Sequence, residues 1–193
     1  MKQIKNKKYR SLTGFTLIEL LVVCTVLVLL LGIILGVFIS AIRIQRHSLA
    51  VQQLINQASY ATEYISRALR LAKEAPAGST CIPAGTNYLT AGSSVTFLNL
   101  DENGDLVCKK FYLDLDSDRL KAEKDGVGGY NLFLTPEKVK VKHFNVLVLE
   151  EVEGVDTQPR VTIFFEMENS NVSPTAVIKI QTTVSQRDLN VAQ

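Results

Sequence analysis

The pattern of hydrophobic and polar residues divides the chain into three parts, and the first is an unbroken apolar run. From Leu20 to Ile42 there are 23 residues without a charged side chain. A helix of that length extends about 34 Å, which is enough to cross a hydrocarbon core of roughly 30 Å. A helix buried in a soluble domain is rarely apolar on every face. The pattern therefore predicts a transmembrane helix over residues 15–42.

The second part continues the helical pattern but has a polar face. Apolar residues recur in steps of three and four, which is the period of an amphipathic helix: Val51, Leu54, Ile55, Ala58, Ala61, Ile65, Ala68, Leu69 and Ala72. No proline occurs between Met1 and Ala75. We therefore expect a single helix over about residues 15–74, whose second half, 43–75, packs against another apolar surface.

The third part, residues 76–193, begins with proline and glycine and then alternates like β-strands. Asn103-Gly104 lies between two such runs and favours a hairpin, because Asn-Gly readily adopts the positive φ angles of a tight turn. A second turn is predicted around 114–118. Because every predicted strand follows the one helix, an antiparallel sheet is favoured over βαβ units. The fold class is thus α+β, a long N-terminal helix packed on a small antiparallel β-sheet domain. Strands are predicted at Val95–Leu100, Leu106–Leu113, Arg119–Ala122, Val139–Leu149, Arg160–Glu168 and Ala176–Gln186.

Charge changes this picture at the N-terminus. The net charge is +2, yet five basic and no acidic residues precede Phe15, so the remainder carries about −3. This balance argues against nucleic-acid binding through bulk charge. Basic residues before the span place the N-terminus in the cytoplasm and residues 76–193 outside. A secretory signal peptide fits less well, because the apolar run is too long and no Ala-x-Ala-like site closes it.

Three cysteines are present, and two of them lie in the part expected outside the cytoplasm. Cys24 is inside the predicted span and acts there as a small apolar residue. Cys81 and Cys108 lie where oxidation is permitted. A bridge between them would close a loop of roughly 28 residues and add about 3.5 kcal/mol of stability. The disulfide is favoured, and two free thiols are the alternative.

One motif stands at the entry to the span: Gly14-Phe15-Thr16-Leu17-Ile18-Glu19, after the basic leader. Leader, Gly-Phe junction, lone glutamate and apolar span together resemble the prepilin N-terminus of type IV pilins and type II secretion pseudopilins. The motif covers about residues 10–42, and the long helix with its β domain is similar to the family in outline. The fold class implied is pilin-like.

The resemblance implies how the chain is processed and where it functions. A prepilin peptidase would remove residues 1–14 by cutting between Gly14 and Phe15, and Phe15 would be N-methylated. Gly14 suits the scissile position because it has no side chain to obstruct the approach of an extended backbone. The partners implied are other pilin or pseudopilin subunits, the inner-membrane assembly platform and membrane lipid. The chain would cross the cytoplasmic membrane once and then enter a filament on the cell surface or in the periplasm.

Glu19 has two interpretations that do not exclude each other. Thr16-x-x-Glu19 fits a capping box at a helix start. The resemblance implies instead that the Glu19 carboxylate pairs with the Phe15 amine of a neighbouring subunit. An acidic group inside lipid costs up to about 3 kcal/mol at a helix centre, so it needs a partner. Its attraction to an ammonium is strong where water is scarce.

Two acidic runs have oxygen ligands at alternate positions, and some pseudopilins bind calcium. They are Asp101-x-Asn103-x-Asp105 and Asp114-x-Asp116-x-Asp118. Neither continues as a full twelve-residue calcium loop, because the residues at position 12 are Tyr112 and Asp125, of which the first is not acidic. Solvated turns between strands are favoured, and no metal or cofactor is expected.

No nucleophile elbow, zinc-protease motif or phosphate-binding glycine loop occurs in the sequence. The function predicted is a non-enzymatic structural subunit of a type IV pilus or type II secretion pseudopilus, assembled through its N-terminal helix. A minor subunit is favoured, because the span lacks the proline common in major pilins. The alternative is a membrane-anchored extracytoplasmic enzyme or binding domain that does not assemble.

Overall fold

The computed structural model describes residues 14–126, 128–149 and 158–187. Within them a single long helix, α1, precedes eight strands, and every pairing between strands is antiparallel. The α+β layout predicted from the sequence is therefore confirmed. The elements are α1 (Leu17–Arg70), β1 (Tyr88–Thr90), β2 (Ser94–Leu100), β3 (Leu106–Asp114), β4 (Arg119–Lys124), β5 (Tyr130–Phe133), β6 (Lys140–Leu149), β7 (Arg160–Asn169) and β8 (Ala176–Ser185).

The chain forms two compact units, Met1–Gln45 and Arg46–Gln193. In the first unit, the described residues 14–41 are all exposed, although most of them are apolar. Leu29 and Phe38, for example, are exposed by 69% and 61%. Transfer of apolar side chains out of water is favourable, so this part of α1 is suited to an apolar environment.

In the second unit, α1 presents its apolar stripe to the strands. The stripe joins inward-facing residues of both sheets in one hydrophobic core. Ile55 is an exception to the prediction, because it is 45% exposed. Ala50 takes part in the core in addition to the predicted positions. Ala58 and Ala61 contribute small side chains to this core, and both are fully buried. The fully buried positions of α1 are Leu54, Ala58, Ala61, Ile65 and Leu69.

The strands lie in two sheets, whereas the sequence suggested one. The first has the order β1-β2-β3-β4-β5 and the second β6-β7-β8. After β5 the chain turns at Pro136, which has no N–H to continue a ladder. Val139 then donates to the Pro136 carbonyl at 3.1 Å. Strands β1 and β5 were not predicted, because they are short and lack an alternating pattern.

The hairpin and the second turn form where the sequence predicted them. Leu100 pairs with Leu106 across the first turn. Of the Asn103-Gly104 pair, only Gly104 has a positive φ, of 86°. In the second turn Asp118 adopts a φ of 52°, a region that aspartate tolerates better than most residues.

Helix α1 ends at Arg70, four residues earlier than expected, because its last carbonyls bond to groups from elsewhere in the fold. The Tyr88 hydroxyl donates to the carbonyl of Leu69 at 2.9 Å, and Arg187 N–H donates to that of Arg70 at 2.9 Å. Lys73 N–H then bonds to the Leu98 carbonyl in β2. The end of a helix leaves carbonyls unsatisfied, so these bonds fix where the helix stops.

Candidate functional site

The segment predicted for processing lies at the start of α1. Gly14, Phe15 and Thr16 precede the first helical residue, and Phe15 is 78% exposed. A Cβ added at Gly14 would meet no atom within 4 Å. Packing among the described residues therefore does not require glycine at position 14. Residues 1–13, which contain the basic leader, lie outside the described residues.

Thr16 is the N-cap of α1. Its Oγ1 accepts a hydrogen bond from the backbone N–H of Glu19 at 3.3 Å. Its carbonyl accepts the first bond of the helix, from Leu20 N–H at 3.2 Å. This is the forward half of a capping box, and it uses the backbone of Glu19 rather than the carboxylate. The cap therefore does not depend on which side chain stands at position 19.

The side chain of Glu19 lies in the first turn of α1, among exposed apolar neighbours. Ile18 and Leu20 are 71% and 61% exposed. Glu19 is itself exposed, and it is the only acidic residue before Glu63. The positive end of the helix dipole favours a carboxylate at this position. The first part of α1 thus carries one negative side chain, in its first turn, on a surface that is otherwise mostly apolar.

Helix α1 is long and apolar enough to cross a membrane by length and composition. Its most apolar window is unburied in the structure, unlike the core helix of a soluble protein. A signal sequence near an N-terminus can show the same features.

Cys81 and Cys108 form a disulfide, with their Cα atoms 5.7 Å apart. The bridge links the loop after α1 to β3, which is paired on both sides in the five-stranded sheet. Next to it Ile82, Ala75 and Leu98 form a small separate apolar cluster. The loop is thus attached to the sheet both covalently and by packing. Cys24 is a free, exposed thiol in α1.

The first acidic run is a hydrogen-bonded turn. The Oδ1 atom of Asp101 accepts the N–H groups of Asn103 at 2.8 Å and Asp105 at 3.0 Å. The bond from the Asp105 backbone is the main reason that the pKa of Asp101 lies below its ordinary value. This carboxylate stabilises the turn between β2 and β3.

The second run is also held by hydrogen bonds and ion pairs. Asp114 accepts a hydrogen bond from the Ser117 hydroxyl, and its Oδ2 lies 3.1 Å from Lys121 Nζ. These two contacts lower the pKa of the Asp114 carboxyl. Asp118 pairs with Lys140 and Lys142, at 3.6 and 3.8 Å. In the described ranges no group of three or more histidine, cysteine or acidic residues is placed to hold a metal ion.

One feature of the second unit has no signal in the sequence. A cleft of about 740 Å³ opens between α1 and β8, which is an edge strand of the three-stranded sheet. Arg67 and Arg70 line it from the helix, and Arg187 lines it just beyond the strand. These arginines are far apart in the sequence, and only the packing of β8 beside α1 brings them together.

Comparison with protein-family models, with curated proteins and with solved structures finds no match to this chain.

Proposed function

We propose that this chain is a structural subunit of a type IV pilus or a type II secretion pseudopilus. The observation that carries the proposal is the first part of α1. Its side chains are apolar and exposed, and it begins at a capped turn that holds one carboxylate, Glu19. A helix with this surface needs an apolar partner along its whole length. Lipid would supply it before assembly, and the helices of neighbouring subunits would supply it within a filament.

In this proposal a prepilin peptidase removes residues 1–14, and Phe15 becomes the new, N-methylated terminus. Supporting this, Phe15 and Gly14 lie outside the helix, where a peptidase can reach an extended backbone. The Phe15 amine of one subunit then pairs with the Glu19 carboxylate of its neighbour. The subunit is a minor one, it performs no catalysis, and it is delivered by an inner-membrane assembly platform. The domain formed by residues 76–193 lies outside the cytoplasm.

The direct test is the N-terminus of the mature chain. The full gene is expressed with and without a prepilin peptidase, and the intact mass is measured in each case. We expect loss of residues 1–14 and a gain of one methyl group only when the peptidase is present. Gly14→Val should block the cut by crowding the scissile bond. Since the structure has open space around Gly14, this variant should still fold.

An uncleaved chain in the presence of an active peptidase would contradict the proposal. The remaining candidate would then be a membrane-anchored extracytoplasmic enzyme or binding domain. A cut beyond Ile42 would also contradict it, because the assembly helix would be lost.

A further inference from the structure

We propose that the cleft between α1 and β8 binds an extended, acidic segment of a partner protein, which adds as a strand to the free edge of β8. This interaction surface belongs to the second unit and does not depend on the function proposed above. We call the site the β8 cleft. It is formed by α1 residues between Ser59 and Arg70, by Leu71 just after the helix, by Ile180 and Thr182 of β8, and by Arg187.

Strand β8 forms one edge of the three-stranded sheet, and that edge lacks the usual protection against pairing. Strand β8 pairs with β7 over ten residues without a bulge. Outside that ladder, no backbone hydrogen bond of residues 176–185 reaches another element in the described part of the chain. Exposed edges are normally protected by proline, bulges, several charges or a covering segment. Strand β8 has no proline and only one charged residue, Lys179. Within the part of the chain that the structure describes, this edge is therefore available for pairing.

The cleft beside β8 has room for the side chains of an added strand. Ile180 and Thr182 pair with the buried residues Phe165 and Ile163, so their side chains lie on the face of the sheet that meets the core. A strand added to β8 would direct every second side chain to that same face, into the cleft. The volume of about 740 Å³ is within the range of ordinary binding sites. Strand addition to an edge with pockets for alternate side chains is a recurring mode of peptide recognition.

The β8 cleft is rich in positive charge. Arg67, Arg70 and Arg187 line it, and among the described residues the only acidic side chain lining it is that of Glu63, which pairs with Arg67 at 2.7 Å. Arg70 and Arg187 are exposed residues, and their guanidinium groups form no ion pair within the ranges that the structure describes. Guanidinium groups bind carboxylates with good geometry. Pairing of two β8 edges from two copies would instead bring these cations together.

Thr62, on the wall of the cleft, has an unsatisfied hydroxyl. Its Oγ1 atom is buried and has no hydrogen-bond partner among the described residues. A buried hydroxyl without a partner is costly, and rotation of the Thr62 side chain towards the cleft would let an incoming polar group satisfy it. The occupant is thus an extended segment with acidic and apolar residues in alternation.

The test uses the purified full chain in detergent and a fluorescent peptide, Val-Glu repeated four times. A Val-Lys peptide of equal length is the charge control. We expect the acidic peptide to bind at least about tenfold more tightly than the basic one, because one or two charge-assisted hydrogen bonds distinguish them. Arg187→Glu should abolish this preference, whereas Arg160→Glu should leave it unchanged. Arg160 is the matched control, an exposed arginine in β7 that does not line the cleft.

Two further measurements separate strand addition from simple attraction between charges. Hydrogen exchange of the β8 amides should slow when the acidic peptide is bound. Thr62→Val should weaken binding of the acidic peptide by roughly three- to tenfold. It should also raise the melting temperature of the free chain, because a buried unpaired hydroxyl is removed.

Four outcomes would overturn the proposal. They are equal binding of both peptides, unchanged hydrogen exchange in β8, a peptide site that opens only after residues 188–193 are deleted, and concentration-dependent dimerisation that protects β8. The third would identify the occupant as this chain's own terminus, and the fourth as a second copy.

Discussion

The side-chain nitrogen of Gln186 donates a hydrogen bond of 2.9 Å to the carbonyl oxygen of Ala72. Gln186 is fully buried, and the same nitrogen lies 3.1 Å from Asn87 Oδ1. One side chain just after β8 thus satisfies a carbonyl just beyond α1 and an amide in the loop that follows. Because these groups are buried, the bonds help to fix where β8 lies against the end of the helix.

Gln186→Leu should therefore lower the free energy of unfolding by about 1–3 kcal/mol, because it leaves the Ala72 carbonyl buried without a partner. The measurement is urea denaturation of the full chain in detergent, followed by circular dichroism. Gln181→Leu is the matched control, an exposed glutamine of β8. Equal effects of the two substitutions would show that the Gln186 hydrogen bonds contribute nothing specific.

Tyr88→Phe should cost about 1 kcal/mol of stability, because the Leu69 carbonyl loses its hydroxyl donor. Tyr88 is 3% exposed, and burial raises the pKa of its hydroxyl well above the ordinary value. Tyr60→Phe makes the same chemical change at a tyrosine that is 54% exposed, and it should have little effect. Thermal melts of both variants check the difference. A Tyr88→Phe chain as stable as the wild type would contradict the role of this bond.

Loss of the disulfide should lower the free energy of unfolding by about 3.5 kcal/mol, since the bridge restricts the unfolded chain. Cys81→Ala with Cys108→Ala is the variant, and Cys24→Ala, which changes the exposed free thiol, is its control. Non-reducing peptide mapping should yield one linked fragment containing both cysteines. Recovery of free thiols at both positions after rapid alkylation would refute the bridge.

Asp114→Asn should reduce the loss of stability in acid. Ser117 and Lys121 lower the folded-state pKa of Asp114 below its ordinary value of 3.8. The carboxylate therefore contributes stability that is fully present above about pH 4–5 and is lost as the pH falls through the folded pKa. Melting temperatures measured between pH 6 and pH 2.5 should fall less steeply for Asp114→Asn than for the wild type. Asp116→Asn, an exposed aspartate of the same turn, is the control, and an equal flattening by both would count against this assignment.

Under the proposed function, Glu19→Gln should be inserted and cleaved normally but enter filaments about tenfold less efficiently, because the proposed charge-assisted bond to a neighbour's Phe15 amine would be lost. Glu19→Ala should also be inserted and cleaved normally, and its incorporation into filaments should be reduced to a similar extent. Both variants retain the bond from the residue 19 N–H to Thr16, so the helix cap is preserved. Quantitative blotting of sheared filaments against membrane fractions measures incorporation. Normal incorporation of both variants would mean that this subunit does not use Glu19 for assembly.

Elements whose signal is local can be predicted from the amino-acid sequence alone. The uncharged run from Leu20 to Ile42, the period of the helix stripe and the alternation in the longer strands depend on neighbours along the chain. The Gly14-Phe15 junction and Glu19 are also visible without a structure. For this reason the sequence predicts the helix, both turns and six of the eight strands formed by the described residues to within a few residues.

Features that depend on residues distant in sequence become visible only in the folded chain. The sequence predicts that α1 ends at about residue 74, but the helix ends at Arg70. Tyr88, Leu98 and Arg187 form hydrogen bonds with its last turn and the residues after it. The strands form two sheets instead of the one that was expected. Strand β8 lies beside α1, and Arg70 and Arg187 line the same cleft. Local periodicity carries no information on these contacts, because packing and long-range hydrogen bonds determine them only once the chain has folded.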